Sequence, residues 1–349
     1  MASRATPAST LRKATISDVA DHAGVSIKTV SRVLNREPKV RESTKLRVEA
    51  AMKTLRYRPN SPGRMLASSR TYLIGLIYND ASSYINRVQS GVLQTCRDEH
   101  YDLLIHPCEF TDPALLDEIR DLVTAPRVDG LILVPPLSDM PDVKALVDEL
   151  KVATVTLSSD SEAADADTVR TNDRESLHEL VRYLTRLGHR RLAYVDGRPE
   201  HKAMAKRFLG FQDGLKDAGL ELNPNWVVRG DNTFDSAIEC GKQLLHGKDR
   251  PTAICCANDH MAAAIMKVAH ESGLRVPADI SITGFDDDPT ASQVWPSLTT
   301  IRQPLTKMAR HASKLLLDGL RGLEPETRNR VVDADIVIRD STGPAPTRL

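Results

Sequence analysis

The sequence predicts an all-α helix-turn-helix headpiece joined to an α/β body of two parallel-sheet subdomains. Three observations carry that prediction. Residues 1–70 hold 15 Lys+Arg against 5 Asp+Glu, a net of +10, whereas the remaining residues hold 32 against 42, a net of −10. Two short apolar stripes with helical spacing flank a glycine near the N-terminus, and farther on short apolar runs alternate with helical stretches. A length of 349 residues fits two or three domains at roughly 150 residues each.

The headpiece comes first. Ile16, Val19, Ala20 and Ala23 fall at i, i+3, i+4 and i+7, one apolar stripe on a short helix. Thr15 precedes them as an N-cap and Asp18 sits at N3, the pattern of a capping box. Gly24 supplies the left-handed turn that ends the helix. Ser26 caps a second helix, whose apolar side is Val30, Val33 and Leu34. Its other side shows Ile27, Lys28, Thr29, Ser31, Arg32 and Asn35, with no carboxylate among them. An ordinary surface helix would mix both signs. A basic and hydroxyl-rich second helix after a glycine turn instead points to the major groove of DNA. A third stripe, Val48, Ala51, Met52 and Leu55, closes a three-helix core.

In the body, LIGLIY, YDLLIHP, GLILVP, ATVTL, LAYVDG, AICCAN and ISITGF read as buried strands. Helical stretches such as ESLHELVRYLTRLGH separate them, the sign of parallel sheets covered on both faces. Seven such strands exceed one compact sheet, so two subdomains are expected. Ligands of such sheets bind beyond the carboxyl ends of the strands. The polar residues there are Asn79 and Asp80, Ser158 to Asp160, Asn258 and Asp259, and Asp286 to Asp288. Capping of the following helix is the plainer role for these residues, and it is preferred for Asp259, Asp287 and Asp288.

Other classes are disfavoured. No HExxH, GxSxG or GxxxxGK[ST] motif is present, and His178, His189, His201 and His260 lack metal-ligand spacing, so an enzyme and a metal or cofactor are not expected. Five irregularly spaced cysteines argue for buried thiols in a reducing compartment. No apolar run reaches the ~18 residues of a membrane span, and residues 1–13 have no apolar secretory core. A cytoplasmic location follows as an expectation.

TISDVADHAGVSIKTVSRVLN followed by VEAAMKTLRYRPN closely resembles the headpiece of the lactose-repressor (LacI/GalR) family of transcription regulators. The likeness continues through LIGLIYND, DGLILVPP, LGHRRLAYVDG, CANDHMAAA, GLRVPADISITGFDDD and PSLTTIRQP. It implies a periplasmic-binding-protein-like body with an effector cleft between its subdomains. It also implies control of carbohydrate-related genes by a sugar effector, with repression as the default. By that resemblance Ile27, Lys28 and Arg32 read base edges, and Thr15, Ser26, Thr29, Ser31 and Asn35 contact phosphates or bases. Residues 57–67 match the family's hinge helix, with Asn60 as its cap and Leu66, beside Ala67, as the minor-groove wedge. Arg207, Asn258, Asp286 and Gln303 match effector-pocket positions; from the first subdomain Asn79 is the strand-end candidate and Tyr84 is the aromatic that could supply a face to the ligand.

The departures are specific. Asn232 stands where the family commonly has an aromatic that stacks on the ligand, with Phe234 two residues on. Ser158 replaces a common Asp, and Arg41 replaces a Ser that caps the third helix. The domains expected are a disordered tail over 1–13, the headpiece over 14–58, a hinge over 59–70 and the effector and dimerisation domain over 71–349. Its subdomains are roughly 71–171 with 304–332, and 172–303 with 333–349. No apolar heptad helix closes the sequence, so a homodimer on a near-palindromic operator is expected, with no membrane partner.

Overall fold

The computed structural model describes residues 14–34, 40–57, 70–125, 127–158, 166–246 and 249–347. The chain divides into two compact units, Met1–Tyr72 and Leu73–Leu349. Asn35, Asn60, Leu66 and Ala67 lie outside the described residues, as does the expected tail.

The first unit holds α1 (Ile16–Ala23), α2 (Ile27–Leu34) and α3 (Glu42–Thr54). The Thr15 hydroxyl accepts from the Asp18 amide at 3.3 Å and the Asp18 carboxylate accepts from the Thr15 amide at 2.7 Å, so the capping box is formed. Gly24 takes φ 61°, ψ 43°, a left-handed turn that is strained for any residue with a Cβ. The Ser26 hydroxyl accepts from the Thr29 amide at 3.2 Å and opens α2. Val19, Ala20, Ala23, Val30, Val33, Leu34, Val48 and Ala51 form the buried core, with Met52 and Leu55 packed at its edge. Arg41 makes no side-chain cap to α3.

The second unit is built on β1 (Leu73–Tyr78), α4 (Ser83–Asp98), β2 (Asp102–Pro107), α5 (Leu115–Thr124), β3 (Gly130–Leu133), α6 (Pro141–Glu149), β4 (Ala153–Leu157) and β5 (Thr168–Thr171). After these come α7 (Asp173–Arg186), β6 (Leu192–Asp196), α8 (Lys202–Asp217), β7 (Val227–Arg229), α9 (Phe234–Leu245), β8 (Ala253–Cys256) and α10 (Asp259–Glu271). The unit ends with β9 (Ser281–Thr283), α11 (Pro289–Gln293), β10 (Thr300–Arg302), α12 (Leu305–Leu320), β11 (Asn329–Val332) and β12 (Asp335–Val337).

One sheet has the order β11-β5-β4-β3-β1-β2 and the other the order β7-β6-β8-β9. Every strand pair within these two sheets is parallel. β10 and β12 form a separate antiparallel pair. The seven apolar runs read from the sequence all became strands. β5, β7, β10, β11 and β12 were missed because each is only three or four residues long and carries polar or charged side chains. Their pairing is set by neighbours distant in sequence.

Three passages of chain join the two lobes: Thr171 to Asp173, Arg302 to Leu305, and Val332 to Asp335. They are tied together at one level. The Asn172 side chain accepts from the Ala334 amide at 2.8 Å, and the Thr171 hydroxyl donates to the Gln303 side-chain carbonyl at 3.3 Å. The cores lie on each sheet's covered faces, around Leu131, Leu133 and Ile119 in one lobe and Tyr194, Phe211 and Phe285 in the other. All five cysteines are buried and unpaired. No described helix is long and apolar enough to cross a membrane.

Candidate functional site

Two surfaces carry the chemistry. On the first unit, burying Val30, Val33 and Leu34 leaves the opposite face of α2 outward. Ser26, Ile27, Lys28 and Arg32 are exposed, and Thr29 and Ser31 are half-buried beside them. Ile27, an apolar side chain, is 49% exposed at the first turn of α2. Thr15 is exposed at the start of α1, where its hydroxyl is already engaged with Asp18. This face offers donors and one apolar knob, the set a major-groove reader uses against guanine acceptors and a thymine methyl.

On the second unit, a cavity of about 580 Å³ opens between the lobes. Asn79 and Tyr84 line it from the six-stranded lobe, and Arg207, Asn232, Asn258 and Asp286 line it from the other. Six of the seven expected pocket residues therefore converge. Gln303 is the exception. It is buried behind the wall and donates to Asp286 Oδ1 at 2.5 Å, so it orients a lining residue. The register of β10 next to the loop after β9 puts it there, which sequence spacing does not reveal.

Arg207 sits on the inward face of α8 and is 4% exposed. It donates to the Ala257 carbonyl at 2.6 Å, and its guanidinium lies 3.6 Å from the Phe285 ring centroid. Asp286 and Asp173 flank it at 3.7 and 3.8 Å, ion-pair range but beyond hydrogen-bond length. Its Nε is buried without a hydrogen-bond partner. Burial pushes Asp286 up to about 6, against the opposing pull of Arg207 and Gln303. Burial, aided by Arg207 and Arg198, lowers His201 to about 4, so this cavity imidazole is neutral near pH 7.

The other lining residues are held by their own bonds. Asn258 caps α10, its side-chain oxygen accepting from the Met261 amide at 2.8 Å, while its side-chain nitrogen donates to the Asn232 carbonyl at 2.8 Å. The capping and lining roles that looked like alternatives coexist in this one side chain. Asn232 has φ 72° and accepts from the Arg198 amide at 3.2 Å. A Cβ on Gly197 would stand 1.9 Å from Asn232 Oδ1, so any side chain there would displace the Asn232 amide. Asn79 accepts from the Phe110 amide at 3.0 Å, and the Tyr84 and Ser158 hydroxyls are 2.9 Å apart.

Asp288 is the N-cap of α11. Asp259 and Asp287 are held otherwise. Asp259 accepts from the Thr300 hydroxyl at 2.5 Å and the Asp288 amide at 2.7 Å. Asp287 accepts from Arg302 at 2.6 Å and Arg339 at 2.5 Å. Sequence reasoning missed Arg198, His201, Met204 and Asp231 on the cavity wall. All but Met204 sit in loops whose course local pattern does not dictate, although Arg198 and Asp231 follow β6 and β7 closely enough for the strand-end rule to have found them.

Residues 15–60 match the model of bacterial regulatory proteins of the lacI family, and residues 181–342 match the periplasmic binding protein-like domain. The HTH-type transcriptional repressor PurR of Klebsiella pneumoniae (strain 342) is 34% identical over 337 residues, covering 95% of this chain and 98% of that protein. The chain belongs to the lacI family of bacterial regulatory proteins. Among solved structures, the lac repressor dimer bound to operator and the anti-inducer ONPF is 30% identical with a TM-score of 0.74, covering 95% of this chain and 100% of that one. The transcriptional regulator CelR in complex with cellobiose is 26% identical with a TM-score of 0.73, covering 94% and 99%. This lacI-family regulator thus joins a DNA-binding headpiece to a ligand-binding domain, and the cavity lies in the latter.

Proposed function

We propose that this regulator represses carbohydrate-related genes by binding a near-palindromic operator as a homodimer, under the control of a small carbohydrate held in the cavity. The observation that carries the effector reading is the open geometry at Arg207. Its Nη2 and the Asp286 carboxylate stand 3.7 Å apart, just out of hydrogen-bond reach, and both residues line one cavity beside Asn258. A ring hydroxyl accepts from the guanidinium and donates to the carboxylate at once. That pairing discriminates strongly, because the wrong ligand leaves buried polar groups unsatisfied. Tyr84 and Phe234 supply apolar surface at the wall, and a structural relative has been solved with cellobiose.

In this reading Ile27, Lys28 and Arg32 meet base edges, while Thr15, Ser26, Thr29 and Ser31 contact phosphates or bases, with Asn35 and Asn60 assigned by sequence alone. The subdomain limits 71–171 with 304–332 and 172–303 with 333–349 are part of the same proposal. Two experiments test it. Arg32→Ala should weaken operator binding by about 1–3 kcal/mol, and unchanged affinity at fixed salt would remove Arg32 from the reading face. A panel of mono- and disaccharides, screened beside planar nitrogen heterocycles, should raise the melting temperature only with a sugar. Arg207→Ala should keep operator binding and lose that response. Stabilisation by a heterocycle alone would overturn the carbohydrate assignment.

A further inference from the structure

We propose that His106, Cys108 and Glu118 form a zinc-binding site on the outer edge of the six-stranded sheet, separate from the effector cavity. One imidazole nitrogen, one thiol sulfur and one carboxylate oxygen there all lie within 4.8 Å of one another. This mixed donor set of nitrogen, sulfur and oxygen is what zinc prefers, with three protein ligands leaving a fourth position for water.

The local fold produces the convergence. His106 is the fifth residue of β2, and Cys108 lies two residues on, which puts both side chains on one face of the extended chain. β2 is the terminal strand of its sheet, so no further strand competes for that edge. Glu118 lies in the first turn and a half of α5, one turn after buried Leu115 and one turn before buried Leu122, at the border of the helix's apolar face. Its backbone is fixed by the Glu118 amide bond to the Ala114 carbonyl at 2.9 Å, and that of Cys108 by its amide bond to the Tyr78 carbonyl at 2.7 Å.

The distances decide what must move. Bonds of about 2.0–2.3 Å to a tetrahedral ion separate ligand atoms by roughly 3.3–3.7 Å. His106 Nε2 and Glu118 Oε1 stand 2.7 Å apart in a direct hydrogen bond, so that bond opens by less than an ångström as the ion enters. Rotation of half-exposed side chains accomplishes this, the His106 and Glu118 side chains being 29% and 38% exposed. Cys108 is buried among Ile77, Leu115 and Ile119. The ion would therefore have an apolar wall on one side, which strengthens its bonds, and solvent on the other. On binding, the Cys108 thiol releases its proton to water, the Nε2 proton that His106 shares with Glu118 moves to Nδ1 or to water, and the freed nitrogen and carboxylate oxygen each take a metal bond. A plain His–Glu ion pair is the competing account, and it gives the thiol no part.

Cobalt(II) titration of the untagged, chelator-stripped full-length protein under reducing conditions distinguishes the two. A thiolate-to-cobalt charge-transfer band should grow to one equivalent per chain and be bleached by zinc. Cys108→Ser should abolish that band. His106→Ala and Glu118→Gln should each weaken cobalt affinity at least tenfold, and zinc should raise the melting temperature of the parent protein but not of His106→Ala. Absence of the band from the parent protein overturns the proposal. So does a band that survives Cys108→Ser, which would place the ion on Cys96, Cys240, Cys255 or Cys256. If Cys108→Ser fails to fold, the two half-exposed positions decide, and unchanged affinity in both overturns the site.

Discussion

In our proposal the partly buried Asp286 carboxylate couples ligand, proton and stability. Burial raises its folded-state pKa to about 6 from a usual value near 3.8. Between those values the folded protein holds a proton that the unfolded chain has lost, so this group's contribution to stability declines as pH rises from about 4 to about 6. Asp286→Asn should remove that part of the pH dependence, which denaturant unfolding across the range will read. A hydroxyl donated to the ionised carboxylate favours the same deprotonation, so effector affinity should increase through pH 6 and then level. In Asp286→Asn the affinity should be weak and flat. A parallel pH profile in both proteins would mean that another group titrates.

At the scale of the element, the headpiece helices differ in how they start. α1 has a complete capping box and α2 has the Ser26–Thr29 bond, whereas α3 begins at Arg41 with no side-chain cap. An N-cap hydroxyl is worth about 1 kcal/mol. Arg41→Ser should therefore stabilise the headpiece by about 0.5–1 kcal/mol, seen as a higher melting point for the transition that loses operator binding. No change would mean that the backbone at 41 does not let a hydroxyl reach the free amides of α3. The same element shows how a helix with an unremarkable interior acquires function. Three apolar residues choose which face of α2 is buried, and the exposed remainder, Ile27, Lys28 and Arg32, follows without further instruction.

For the whole molecule, control requires that ligand favour one arrangement of the lobes over another. Arg87 on α4 donates to the Asp286 carbonyl at 3.3 Å and to the Asp287 carbonyl, bonds that bridge the lobes beside the cavity. Arg87→Ala should weaken effector affinity about five- to thirtyfold, the effect of roughly 1–2 kcal/mol of lost charged hydrogen bonding. Operator binding without effector should stay unchanged. Equal affinity in calorimetry would show that the bridge opens and closes without preference. The hinge transmits the same change in our proposal. Leu66→Ala should lose most specific affinity yet retain weak, salt-sensitive binding, because phosphate contacts remain. Wild-type affinity for the operator would reduce residues 59–70 to a tether.

Much of this was written in local pattern. Gly24 between two apolar stripes determined the headpiece turn, because only glycine takes that conformation freely. The hydrophobic runs around Leu76, Ile132 and Ile254 determined buried parallel strands, because a strand covered on both faces must be apolar throughout. The strand-end rule singled out Asn79, Asn258 and Asp286 as ligand-facing candidates, the family resemblance assigned Asn258 and Asp286 to the pocket, and all three line the cavity. Tertiary structure alone decided the rest. It gave Gln303 a place behind Asp286, paired β11 with β5 across more than 150 residues, and brought Arg198 and His201 onto the wall. It also put Glu118 within reach of His106 and Cys108. In each of these the contact joins different elements and is set by how they pack, so the spacing along any one strand or helix does not record it.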